Sequence, residues 1–346
     1  MNKKLLAVAV ASILAAPATA LAQVTLFGTI DGGVRNQTKA ITTTGDDSVM
    51  TVTDGLRTTN RWGMKGSEDL GGGMMANFWL EGQFDSGTGL NGVPATATDQ
   101  SGLNFARKTV VGLSGSNWSV DIGRDYTVNF KSQGIYDPMS YTYTGITPTA
   151  GTNTAGVRSS NMVTGAFRWA SGGVRVDYAM SELPGDPFGT RTGIMADFVF
   201  GPVAFTLASS SVDTSATTTV GTGNIGVAWK IGALTLRAGS SNTNTDTGVA
   251  ATTTDTPMVV FGAQYAISPT WNGRIGYYST KFETNGVETG TRKVTIIAMD
   301  YVMSKRTTAY FAFDKTGITG TASTAVLGVA SVDGATGISA GIAHSF

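Results

Sequence analysis

His344 is the only histidine in the chain, and there is no cysteine. Those two counts remove most of the chemistry a protein of this length can do. Acid–base and nucleophilic catalysis need a reacting group with a base or acid placed to serve it. A hydrolase here would have to build its Ser/His or carboxylate constellation around one imidazole, two residues from the last residue, Phe346. A metal centre needs several His, Cys or carboxylate donors, and a lone His with no Cys supplies too few. Without cysteine there is no disulfide framework and no thiolate site. With 46 glycines, a G-x-G-x-x-G match is accidental. The chain is read as a non-enzyme, with no cofactor and no metal expected. Lys plus Arg and Asp plus Glu number 24 each. That balance predicts no nucleic-acid partner and no polybasic membrane arm. What is left for the charged side chains is electrostatics, and the scaffold decides where they act.

The first 22 residues read as an export signal. Lys3 and Lys4 form a charged start, an apolar stretch covers 5–16, and Ala20-Leu21-Ala22 is a small-x-small cleavage site. The remainder, 23–346, is read as one domain. It holds no apolar run long enough for a transmembrane helix. It holds instead sixteen strand-like segments, the first at 24–35 and the last at 338–346. In "MVVFGAQYAI", Val259, Phe261, Ala263 and Tyr265 share one face, and Gly262 and Gln264 the other. In "TTAYFAFDK", Phe311 and Phe313 oppose Tyr310, Ala312 and Asp314. Period-two alternation gives each strand one apolar face, which suits a sheet between lipid and water or one half of a sandwich.

The connections separate those two folds. Short ones at 72–73, 171–173, 201–202 and 232–233 alternate with long polar ones at 36–55, 86–104, 211–223 and 241–257. Outer-membrane β-barrels show this asymmetry, with short periplasmic turns and longer outside loops. The expectation is an all-β transmembrane antiparallel barrel. Its last strand would pair with the first, which explains a chain ending on a bare aromatic. Phe346, His344, Ile342 and Ala340 would point one way and Ser345, Ala343, Gly341 and Ser339 the other. Gly341, His344 and Phe346 are similar to the C-terminal insertion signal of such barrels. Trp62, Trp118, Trp229 and Trp271 are candidates for core anchors or for interface girdles.

Several stretches go further. "VTLFGTIDGGV", "NRWGMKGSEDLGGGMMANFWLE", "ARKTVVGLSG", "DIGRDY", "VRSSN" and "MSKRTTAYFAF" resemble, in order along the chain, the trimeric general porins of Gram-negative bacteria. The "GSEDLGGG" turn is the most specific of them. The resemblance implies sixteen strands, three copies per assembly, an outer-membrane location and a water-filled channel for small hydrophilic solutes and ions. It also implies that the third long connection, 127–156, folds inward. Its Tyr136, Tyr141 and Tyr143 could begin a solute-binding ladder.

The resemblance also supplies candidate constriction residues. Arg61 matches the arginine before the "GxKGSED" turn, Arg107 the one opening the fourth strand, and Arg158 the one after the inward loop. Lys65 shares the face of Arg61, and Glu81 falls on the lumen side with Asn77, Trp79 and Gln83. Strand parity from Arg107 puts Lys108 on the outer face. Arg124 resembles a subunit-interface residue. Asp137 is the acidic candidate on the inward loop, which otherwise lacks the acidic cluster of the family. Rings of basic side chains favour anions, so a weak anion preference is expected. The competing readings are a solute-specific channel and, more distantly, a soluble secreted lectin or adhesin.

Overall fold

The computed structural model describes residues 23–42, 45–90, 104–148, 156–181, 187–248, 252–320, 325–326, 329–330 and 334–346. The export signal expected at 1–22 lies outside them. Among the described residues there is one helix, α1 (Val128–Tyr136). The rest is an antiparallel meander. It runs through β1 (Thr25–Thr42), β2 (Gly45–Asp54), β3 (Arg61–Gly71), β4 (Met74–Gln83), β5 (Lys108–Ser114) and β6 (Trp118–Tyr126) to α1. Beyond α1 come β7 (Arg158–Trp169), β8 (Gly172–Ala179), β9 (Arg191–Phe200), β10 (Val203–Asp213), β11 (Thr219–Ile231), β12 (Leu234–Asp246) and β13 (Thr253–Asp255). The series ends with β14 (Met258–Ala266), β15 (Trp271–Thr284), β16 (Val287–Val302), β17 (Thr307–Gly320), β18 (Ala325–Val326), β19 (Val329–Ala330) and β20 (Gly334–Ser345).

Apart from the small β18–β19 hairpin, eighteen segments form one sheet. β2 and β3 pair with successive stretches of β1, so they are two halves of one stave. β13 and β14 both lie between β12 and β15 and make another. The sheet is therefore a sixteen-stranded barrel. It closes where β20 pairs with β1, from Thr29 opposite Ser345 to Gln37 opposite Gly337. Phe346 is held at the end of that seam. Its N–H donates to the Gly28 carbonyl at 3.1 Å, and the Gly28 N–H donates back at 3.2 Å.

The alternation read from the sequence is the alternation of the wall. In β20, Ile338 and Ile342 are half exposed on the outer face while Ser339 and Ala343 are buried on the inner one. Val259, Phe261, Tyr265, Phe311 and Phe313 all face outward and are exposed. His344 is on the outer face, its Nδ1 2.9 Å from the Thr307 hydroxyl. Trp118, Trp229 and Trp271 stand exposed beside the short turns. They form the ring belt expected where lipid meets water.

Two expectations about the wall change. The stretches 36–55, 211–223 and 241–257, read as loops, are mostly strand: β1 runs to Thr42, β10 to Asp213 and β12 to Asp246. Outside the apolar band both faces of a strand meet water. Hydropathy then stops alternating although the backbone ladder continues. The inner face is also not uniformly wet. Val260, Tyr278, Val294, Ile296, Ala298, Tyr310 and Ala312 from β14–β17 bury against Met139, Tyr143 and Ile146 of the 127–148 connection and Leu56 of the break between β2 and β3.

Two clasps cross the closing strand on its inner side. Arg35 of β1 reaches Asp314 of β17 at 2.5 and 3.0 Å, with both side chains buried. Its guanidinium lies over Gly337, where an added Cβ would come within 2.2 Å of it. Tyr310 of β17 passes over Gly341 in the same way and donates to Asp31 of β1 at 2.7 Å. The small inner face of β20 is thus the space the clasps occupy. Gly337→Ala should displace Arg35 and leave a buried charge poorly paired, at a cost on the order of 3 kcal/mol. Thermal unfolding in detergent, followed by circular dichroism, should shift down for this variant. Gly221→Ala, whose methyl would meet nothing within 4 Å, should leave the midpoint near that of the wild type. Equal midpoints for both would remove the clasp.

Candidate functional site

The site forms where the wall of β3–β7 faces the connection that follows β6. Glu81 of β4 is the one acidic side chain among the described residues of the cavity wall. The Arg107 N–H donates to the Glu81 carbonyl at 3.1 Å, and Lys108 is also in register with Glu81. Two residues oppose one, the arrangement of a β-bulge, which re-aims side chains. Parity therefore fails here. Lys108, expected on the outer face, points inward with Arg107 and lies 3.2 Å from Asp125. Arg107 binds Glu81 at 2.6 Å, Gln83 at 3.0 Å and the Tyr126 hydroxyl at 2.8 Å. Arg158, opening β7, donates to the same hydroxyl at 2.8 Å, its guanidinium 4.4 Å from the Tyr126 ring centre. Arg61, the first residue of β3, completes the wall.

α1 begins where Thr127 caps it, the hydroxyl accepting from the Phe130 N–H at 3.4 Å. Its position follows from bonds to inward-facing side chains. Asn129 reaches Asn224 and the Thr222 carbonyl, and Ser132 meets Thr206 at 2.9 Å. Beyond the helix, three arginines bind backbone carbonyls of the connection: Arg237 that of Asp137 at 2.8 Å, Arg274 that of Met139 at 2.9 Å and Arg292 that of Ile146 at 3.2 Å. On the opposite wall the Tyr143 N–H donates to the Arg57 carbonyl at 3.0 Å.

Asp137 does not line the passage as expected. It is wholly buried and accepts from Met139 N–H, Tyr141 N–H and the Tyr278 hydroxyl. Burial pushes its carboxyl above the ordinary range, while these donors and Arg237 pull the other way. Asp137 is a latch for the turn. The 2.7 Å bond to Tyr141 N–H holds that residue at φ +60°, a left-handed backbone uncommon for a bulky side chain. The turn folds the Tyr141 ring back onto α1, where it stacks on Phe130 at 4.3 Å; Phe130 stacks in turn on Tyr126 at 4.8 Å.

Between wall and connection lies a cavity of about 780 Å³. Arg61, Arg107, Lys131 and Arg158 line it, with Glu81 the acidic side chain. Lys131, on α1, pairs with Asp125 at 2.7 Å, so one carboxylate is shared by Lys131 and Lys108. Burial lowers the Lys131 ammonium to about 8, with Asp125 opposing the fall. Lys65 stands apart, its ammonium 4.8 Å from the Trp79 ring. Arg124 lies on the outer face with Val120 and Ile122, bound to the Ala106 carbonyl and the Ser160 hydroxyl. Lys108, Tyr126 and Phe130 were not among the candidates from sequence. Alternation from Val120, Ile122 and Arg124 would put Tyr126 outward, but the register shifts between Gly123 and Asp125 and turns it to the cavity, so neither it nor the bulge at Arg107 leaves a signal in the sequence.

A family model described as Gram-negative porin matches residues 7–321. Outer membrane porin protein 32 of Delftia acidovorans is 34% identical over 224 residues, 60% of this chain and 59% of that protein. An outer membrane porin protein of Bordetella pertussis is 35% identical over 150 residues, 40% of this chain and 37% of that one. The matched stretches thus span less than two thirds of either relative. Among solved structures, an anion-selective porin from Comamonas acidovorans superposes with a TM-score of 0.81 at 24% identity, covering 94% of this chain and all of that one. OmpT of Vibrio cholerae, also solved in a trimer form, gives 0.70 at 13% identity over 94% of this chain and 99% of that one. The sixteen-stranded closure and the family match agree: this chain belongs to the Gram-negative porin family.

Proposed function

We propose that the chain forms a passive channel through the outer membrane that prefers anions. The observation that carries this reading is the charge around the cavity: four cationic side chains against Glu81, with Arg61 and Arg158 in no ion pair among the described residues. A sixteen-stranded closure is wide enough for an aqueous path. The 127–148 connection, held on the inner face by Arg237, Arg274 and Arg292, narrows that path against the β3–β7 wall. Solutes move down their own gradient, so the reading contains no catalytic step. An anion-selective porin shares this fold, which supports the anion preference, and the trimer form of the Vibrio protein supports assembly in threes. Arg124, bonded on the outer face, is proposed to lie at a subunit contact. Gly341, His344 and Phe346 are proposed to serve insertion, since all three sit on the closing strand or at its end.

Reversal potentials in a KCl gradient across a planar bilayer test the reading, with chloride expected to be more permeant than potassium. Arg158→Glu replaces a cavity cation with an anion and should shift the permeability ratio at least several-fold towards potassium, with the channel still conducting. A cation preference in the wild type would contradict the proposal.

Lys131 makes the preference depend on pH. Its ammonium is charged below about 8 and neutral above. The chloride preference should therefore fall between about pH 7 and about pH 9, well below the ordinary lysine range near 10.4. Lys131→Gln should flatten that step. A step that persists in this variant would assign the titration elsewhere.

A further inference from the structure

A chloride path requires positive charge and little else, yet this cavity is also walled by aromatic rings, among them Phe27, Trp79, Tyr126, Phe130 and Tyr141. Three of them form a column. Tyr126 and Phe130 stack 4.8 Å apart at 15°, and Phe130 and Tyr141 stack 4.3 Å apart at 13°. The middle ring, Phe130, is stacked from both sides, and the Arg158 guanidinium lies over Tyr126 at 4.4 Å from its centre. Rings whose faces are taken can line a cavity only with their edges. An aromatic edge carries the positive part of the ring quadrupole and favours T-shaped contact with the face of another ring.

The cavity therefore offers two kinds of contact at once. The guanidinium groups of Arg61 and Arg158, in no ion pair among the described residues, suit a carboxylate. The ring edges beside them suit a flat apolar body with a negative face. The cavity, at about 780 Å³, has room for a small organic acid. Building on the anion-channel reading above, we propose that the constriction binds aromatic monocarboxylates of the benzoate type. The carboxylate sits between Arg61 and Arg158, and the ring face meets the edge of Phe130 in the Tyr126–Phe130–Tyr141 column. Acetate has the charge without the ring. Cyclohexanecarboxylate has the charge and the apolar bulk without the quadrupole.

Block of the chloride current by these three anions in planar bilayers tests the proposal. Benzoate should block saturably, with a half-blocking concentration about ten-fold below those of acetate and cyclohexanecarboxylate. Phe130→Leu keeps an apolar side chain of similar bulk on α1 and removes the middle ring. It should erase the benzoate advantage, each anion's block being read as a fraction of that channel's own unblocked chloride current. Equal block by all three anions in the wild type overturns the proposal without any variant, as does an undiminished benzoate advantage in a conducting Phe130→Leu channel. Absence of chloride preference in the wild type would overturn the channel reading itself, and this proposal with it.

Discussion

Within hydrocarbon, a backbone N–H or C=O without a partner costs several kcal/mol. That penalty organises this molecule. A sheet can meet it only by having no edge, so the first and last strands must find each other across the length of the chain. The register from Thr29–Ser345 to Gln37–Gly337 does this for the backbone. The side chains add a second layer. Arg35 and Tyr310 bridge β1 and β17 over the intervening β20, which leaves room for them with glycine at 337 and 341. The aromatic terminus belongs to the same solution, since Phe346 exchanges two backbone bonds with Gly28.

Closure creates an interior, and the arginines divide it. Arg237, Arg274 and Arg292 spend their donors on carbonyls of residues 137, 139 and 146. They hold the connection over an apolar patch that includes Val260, Ile296 and Ala312. Arg61, Arg107 and Arg158 lie across the cavity from it. The same residue type thus acts as backbone glue on one wall and as the charge of the cavity on the other. Lys108 and Lys131 share one carboxylate, so the field in the cavity is set by a small excess of cations rather than by a high net charge of the protein.

The barrel was legible because its signal is periodic and local. Phe311 and Phe313 opposing Tyr310 and Ala312 is a fact of strand geometry that no tertiary detail can reverse. Legibility ended where that geometry breaks. The bulge at Arg107 turned Lys108 inward, and no pattern in "ARKT" announces it. The strands beyond the apolar band lost their alternation and were read as loops. Asp137 had the right type and segment for a passage residue. Its burial under Tyr278 depends on contacts more than a hundred residues apart. Arg61, Arg107 and Arg158 were placed together by resemblance, and the cavity brings those three to one wall.

The central claim is that one strand face is wet and basic while its neighbour faces lipid, at the very seam that seals the cylinder. Because the chain has no cysteine, a single introduced one is unique. Thr29, which lines the cavity, and Ile30, which is exposed on the outer face, are adjacent on β1. Current through Thr29→Cys and Ile30→Cys channels should be measured before and after a water-soluble, negatively charged thiol reagent. The current should fall for Thr29→Cys and stay constant for Ile30→Cys. Equal responses at the two positions, or a response only at residue 30, would contradict the account.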